Sequence, residues 1–387
     1  MPTPKRHALT TNNRWRSPYV DTRSATECLV PAPRRARLAV SIPFIVICAV
    51  CLFAKQGWSA DTIELTNGQK PLSGEVTGVS RTEVTIEVGL GRKEKTVPAN
   101  EVANIRWNDE PTKLKVRRSD EQQGRLKAAL EGYEEMHKQT RSTSRFLKAD
   151  LEFLIARTLA KMALVDSTQL EDAIAKLEAF RKNHSRHYRY YDALEHLGQV
   201  YVLAKDSKAG QDVFAEMVQA PWPEYQIGAR VALARMQLLE GDVETALAAF
   251  DAVIEQPAKT PAEKVRRLEA LLGKAGCLQQ MKKHAEAADL LAEVTRDAAA
   301  ENTALQAEAY LRKGDNLRLS GKTKAALLAY LHVDLLFSGE SDMHAEALLR
   351  LTQLWTAVER PARAADAASR LRQQYPGSQW SKQLASG

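Results

Sequence analysis

The chain has 387 residues, 44% of them hydrophobic and 27% charged, with a formal net charge of +7 and four cysteines. Residues 1–60 carry nine basic and two acidic side chains, which leaves residues 61–387 with 46 of each. A basic nucleic-acid-binding body is therefore excluded: the whole excess sits in the N-terminal segment. The length suits roughly two or three domains, and few aromatics (6%) beside abundant alanine favour close-packed helices.

Residues 1–37 read as a disordered basic leader. Residues 38–54 (LAVSIPFIVICAVCLFA) follow as an uncharged run of 17, fenced by Arg34-Arg35-Ala36-Arg37 and Lys55. The run predicts an N-terminal hydrophobic helix that enters a membrane, intermediate between a signal-peptide core of ~7–15 residues and a spanning helix of ~20. The flanking arginines stay in the cytoplasm, which sends everything after Lys55 outside. Both a cleaved signal and a retained anchor remain open for residues 38–60. Ser59-Ala60 offers small residues at a cut before Asp61, whereas Trp58 is bulky for its place. The expected location is the same in either case: exported across the cytoplasmic membrane, as a periplasmic, cell-envelope or secreted protein, or one anchored by a single helix. Cys48 and Cys51 lie within the apolar run as small hydrophobes. Cys277 is the one cysteine of the exported part, so no internal disulfide forms there.

From residue 61 the period becomes two. Ile63 and Leu65 alternate with polar residues before the Asn67-Gly68 turn; Val76 and Val79 follow; Val84, Ile86 and Val88 alternate next. Thr96-Val97 and then Val102, Ile105 and Trp107 complete five short strands. Five strands in under fifty residues bury a core by curling, so residues 61–110 are expected to form a small barrel that resembles the SH3 and Sm types. Gly89-Leu90-Gly91 is a hairpin turn and not a dinucleotide-binding loop.

From about residue 120 the period is helical, and self-similar segments begin at Tyr191, Ile227, Leu268, Ala307 and Ala345. Small residues recur at the eighth and twentieth positions (Gly198 and Gly210; Ala234 and Ala246; Ala275 and Ala287; Gly314 and Ala326). Large apolar residues recur at the twenty-fourth (Phe214, Phe250, Leu291, Tyr330). Two degenerate units precede these, over residues 124–133 and 151–180, and Trp380 and Leu384 suit a capping helix. The pattern resembles the tetratricopeptide repeat (TPR) over residues 120–387, and with the export segment it resembles TPR proteins of the bacterial cell envelope. The resemblance implies a mainly α fold: an α-solenoid of helical hairpins after a small β-barrel and a hydrophobic helix. It also implies a concave face lined by the first helix of each hairpin. Carried over position by position, Glu195, Gln199, Arg235, Asp315, Arg318 and Gln353 project into that face as the protein-binding residues. Their mixed charge suits an extended peptide.

Chemistry-bearing motifs are sparse. Gly321-Lys322-Thr323 resembles the end of a phosphate-binding loop, but Asn316 stands where its first glycine belongs, so it reads as an inter-helix turn. His184 and His187 have a metal-compatible spacing with no acidic or thiol neighbour, and read as part of a solvated loop. Cys277 falls on a helix as a buried small residue. No catalytic, cofactor or metal site is expected. The expected role is a non-enzymatic scaffold for a protein or peptide partner, in contact with a membrane through residues 38–54 if these are retained, with no nucleic acid and no small-molecule substrate. The competing reading is a nucleic-acid binder that uses the leader or the Sm-like barrel.

Overall fold

A computed structural model describes residues 60–89, 91–141 and 145–386. The expected leader and the apolar segment through Ser59 lie outside the described residues. Among the described residues no helix is long and apolar enough to cross a membrane.

Five strands open the described chain: β1 (Asp61–Leu65), β2 (Leu72–Val79), β3 (Glu83–Val88), β4 (Lys93–Pro98) and β5 (Val102–Arg106). They pair antiparallel in the order β4-β3-β2-β1-β5, so β4 and β5 are the two edges of the described sheet. The alternation read from the sequence sets the buried face, where Ile63, Val84, Ile86 and Ile105 are fully covered. Asp61 staples the start of this sheet, since its carboxylate accepts from the backbone N–H of Val76 and of Asn108, both at 2.8 Å.

The sheet does not stand apart from the helices. Its buried residues belong to one continuous apolar core with Leu151, Leu154, Phe180 and Leu194. The stretch between the expected domains is itself helical: α1 (Lys113–Gln122) buries Leu114 against that core. One apolar anchor in a helix of charged residues leaves no amphipathic period to read. Trp107 donates from Nε1 to Asp150 at 2.6 Å. Arg189 donates to the carbonyl of Ala103 at 2.5 Å, and Arg118 of α1 to that of Ile105 at 3.3 Å, so the β5 edge is capped by guanidinium groups from the helical part of the chain.

After α2 (Leu126–Gln139), six helical hairpins follow: α3 (Arg145–Val165) with α4 (Leu170–Asn183), α5 (Tyr190–Leu203) with α6 (Ser207–Met217), α7 (Pro223–Glu240) with α8 (Val243–Ile254), α9 (Pro261–Gln280) with α10 (His284–Asp297), α11 (Thr303–Leu319) with α12 (Thr323–Leu336), and α13 (Ser341–Ala357) with α14 (Pro361–Gln374). A short α15 (Gln379–Ser386) ends the chain. Helix starts carry their own signals. Asp206, Asp242, Thr260 and Asn302 each accept from the N–H three residues on, and Pro223, Pro261 and Pro361 open their helices.

The small-and-large pattern is what lets each pair close. A Cβ placed on Gly198 would lie 2.3 Å from the ring of Phe214, and one on Gly314 would lie 2.5 Å from that of Tyr330. In both hairpins a glycine on the first helix therefore receives the aromatic ring of the second, and the helices approach backbone to ring.

Successive hairpins curve until the last inner helix meets the first. α13 packs against α3. The turn at Gly124 lies against the carbonyl of Gly339, a Cβ there being 3.2 Å from it. Lys382 donates to the hydroxyl of Ser167 at 3.0 Å. The helices α3, α5, α7, α9, α11 and α13 thus form a closed inner layer, with their hairpin partners outside.

Candidate functional site

Closure of the inner layer leaves a central cavity of about 550 Å³. Every inner helix supplies wall: Lys161 from α3, Gln199 from α5, Arg235 from α7, Glu269 from α9, Glu308 from α11 and Asp342 from α13. A wall built from all six is possible only because the stack is closed.

Ion pairs between hairpins hold the curvature. Arg266 of α9 reaches past α7 to clasp Glu195 of α5 with two bonds, 2.7 and 2.8 Å, and also meets Glu269 at 3.1 Å. Arg235 of α7 reaches past α9 to Glu308 of α11 at 3.1 Å. Each pair skips one inner helix, a chord that only a tightly curved stack can make. On the α1–α3 side, Glu121 has a side chain 1% exposed and accepts from Arg157 (2.7 and 2.8 Å), Lys161 (2.9 Å) and the Tyr133 hydroxyl (2.9 Å). On the α11–α13 side, Arg312 binds Asp315 at 2.8 Å and Glu346 at 3.3 Å.

The electrostatics follow from these contacts. Burial alone raises the Glu121 carboxyl, but the charges and hydrogen bonds of Arg157 and Lys161 more than reverse it and hold it at about 2. Burial pulls the Arg266 guanidinium down, and Glu195 and Glu269 lift it well above its ordinary value. Burial lowers His196, beside the cavity. Asp342 moves the other way: burial and then the charge of Glu346 push it up to about 6, against a hydrogen bond from Trp380.

A second cavity of about 340 Å³ adjoins the first, and Leu164, Gln199, Arg235 and Glu269 line both. Its other walls are largely apolar, among them Val202, Leu203, Val231 and Leu239. Leu239 stands 73% exposed at its rim.

Of the residues expected on the concave face, Glu195, Gln199 and Arg235 converge on these cavities, with Glu195 and Arg235 in the chord ion pairs. Gln199 makes no side-chain hydrogen bond to any described residue and is exposed at the seam between the cavities. Asp315 is buried beneath that surface, where it accepts from the Tyr330 hydroxyl at 2.8 Å and lies 3.9 Å from Arg318. Gln353 is exposed on α13 and lines neither cavity. Sequence spacing placed the six on inner helices; it carried no sign of Arg266, Glu308 or Asp342, whose partners Glu195, Arg235 and Trp380 lie dozens of residues away, or of Glu269, which pairs with Arg266 three residues before it.

The remaining motifs resolve as structure. Gly321-Lys322-Thr323 turns the chain from α11 into α12, with the Lys322 N–H bonded to the Leu317 carbonyl at 2.8 Å. The His184–His187 stretch is not solvated as expected. His187 and Tyr188 are buried, and burial drops the His187 imidazole to about 4. Two acidic residues of α3 supply what the local sequence lacked: Glu152 binds His184 at 2.7 Å and His137 at 3.0 Å, and Asp150 accepts from the Tyr188 hydroxyl at 2.9 Å. Among the described residues no group of three or more His, Cys, Asp or Glu has metal-holding geometry. Cys277 is buried, and burial pushes its thiol up to about 11, which removes the thiolate at neutral pH.

No protein-family model and no curated protein sequence matches the chain. Solved structures with similar helical stacks include a tetratricopeptide repeat protein from Parabacteroides merdae ATCC 43184 (15% identity, TM-score 0.42, covering 67% of this chain and 91% of that one). Others are PilF of Pseudomonas aeruginosa (18%, 0.35, 62% and 98%) and a Rap protein complexed with Competence and Sporulation Factor (14%, 0.47, 69% and 76%). The fold is a TPR-like helical repeat with a five-stranded antiparallel sheet before it; the chain's own hairpins and their glycine–aromatic contacts carry that assignment.

Proposed function

We propose that the chain is a non-enzymatic scaffold that holds a protein partner at the cavities of its inner layer, and that it works outside the cytoplasmic membrane. The carrying observation is the seam where Gln199 and Arg235 line two adjoining cavities, one of mixed polarity and one largely apolar. A surface with an apolar pocket, uncommitted amide groups and paired charges around it suits recognition of a peptide.

Export rests on the apolar run 38–54 and the arginines before it, as a cleaved signal or an anchor. In that arrangement residues 61–110, read as a small SH3- or Sm-like barrel, stand between the export segment and the helical repeat. Partner binding is tested by placing a photo-cross-linking amino acid at Gln199 in the full-length protein in cells. A discrete cross-linked partner band at Gln199, absent when the same group replaces Gln353, is the expected result, and no band at Gln199 refutes the site. Location is tested with residues 1–70 fused to a reporter active only outside the cytoplasm, and a silent fusion sinks the export reading.

A further inference from the structure

The partner's chemistry can be read from what the two cavities leave unsatisfied. In the smaller one, Val202, Leu203, Val231 and Leu239 present an apolar wall whose rim residue Leu239 is 73% exposed, beside a larger cavity where charged and apolar side chains mix. In the larger one, most charges are already neutralised: Glu121 by Arg157 and Lys161, Glu308 by Arg235, and Arg312 by Asp315 and Glu346. Two carboxylates of its wall are not. Glu340 accepts from the Thr303 hydroxyl at 2.5 Å and Asp342 from the Trp380 indole at 3.0 Å, and neither forms an ion pair among the described residues. Glu269 adds to the deficit, since it shares Arg266 with Glu195. The polar end of the apolar groove is thus short of positive charge. Between the two ends, the free amide of Gln199 can donate to and accept from a peptide backbone.

We propose that the seam takes a protein segment in which an aliphatic residue seats against Leu203, Val231 and Leu239, and a lysine or arginine a few residues away faces Glu340 and Asp342. This rests on the scaffold reading above and adds the partner's chemistry to it. The two seats lie in adjoining cavities of about 550 and 340 Å³ that share Leu164, Gln199, Arg235 and Glu269, so a short extended segment can occupy both. The aliphatic side chain covers exposed leucine, and the cation supplies the charge that the wall lacks.

The test is a selection of random dodecapeptides displayed on phage against the full-length protein, followed by fluorescence anisotropy with the synthetic peptides recovered. The expected peptides carry an aliphatic residue with Lys or Arg a few positions away. Replacing that basic residue by Gln weakens binding roughly tenfold on the wild type and has no effect on the E340Q/D342N variant. Leu239→Glu, at an exposed position that folding does not use, weakens every recovered peptide by roughly tenfold or more. Enrichment of peptides without the pair, binding that ignores Leu239→Glu, or no enrichment at all overturns the proposal. A cross-linked partner at Gln199 that lacks such a segment overturns it too, while leaving the scaffold reading standing. Absence of both peptide and cross-link removes the two together.

Discussion

Glu121→Gln tests whether the buried ion cluster at the α1–α3 junction stabilises the closed stack. The wild-type carboxyl titrates at about 2 in place of an ordinary 4.5. That preference for the ionised form corresponds to about 3 kcal/mol of folding stability at neutral pH, at ~1.4 kcal/mol per decade. Glutamine keeps the shape and still accepts from Tyr133, so the loss is one of charge, with Arg157 and Lys161 left facing a neutral group. The expected destabilisation is about 3 kcal/mol at pH 7, at the lower end for a broken buried pair because both cations reach solvent. The folded-state value is the depressed one, so the stabilisation is complete above about pH 4.5 and is lost as the pH falls toward about 2. Urea unfolding of wild type and variant at pH 7, 5, 4 and 3 reads this directly, provided fluorescence and circular dichroism transitions coincide. The gap should be constant from pH 7 to 5 and smaller by about 2 kcal/mol at pH 3. A variant within 1 kcal/mol of wild type at pH 7, or a gap that ignores pH, refutes the reasoning.

Three further outcomes follow from the packing. Gly314→Ala puts a methyl group where the Tyr330 ring lies and is expected to cost about 1–3 kcal/mol by thermal or urea unfolding; Gly198→Ala against Phe214 behaves alike and is partly rescued by Phe214→Leu. Gly124→Ala meets both a positive φ of 74° and the Gly339 carbonyl, so a loss of about 1–2 kcal/mol is expected, with faster hydrogen exchange over residues 337–343 although the substitution is at residue 124. Asp150→Asn leaves one oxygen for two donors, Trp107 and Tyr188, and is expected to cost about 1–3 kcal/mol while loosening exchange protection along β5 more than along β2.

What the sequence disclosed was local. Strand alternation from Ile63 to Ile105 and the recurrence of Gly198, Ala246, Tyr330 and their equivalents are statements about neighbours within one hairpin, and both sit where expected. The helix α1 escaped notice because Leu114 is its one fully buried apolar residue. The union of sheet and helices escaped because Trp107 and Asp150, forty-three positions apart, meet only in the folded chain. The inner surface was legible by position and not by pairing. Periodicity puts Glu195 and Arg235 on first helices, yet nothing in it joins Glu195 to Arg266 across 71 residues, or Arg235 to Glu308 across 73.

Those chords change how the repeat should respond to damage. In an open solenoid each unit contacts only its neighbours, so stability is close to a sum of nearest-neighbour interfaces and a weak unit can fray alone. Here Glu195–Arg266 and Arg235–Glu308 couple alternate hairpins, and contacts of Gly124 with Gly339 and of Ser167 with Lys382 couple the first to the last. Opening any interface then strains bonds at others, which raises cooperativity beyond the one-dimensional expectation. The cavities inherit this. Their walls come from all six inner helices, so their shape depends on closure as a whole. A segment seated between Leu239 on α7 and Asp342 on α13 touches both sides of the closed layer, and its binding is thereby linked to the same closure that Glu121 and Gly124 help to hold.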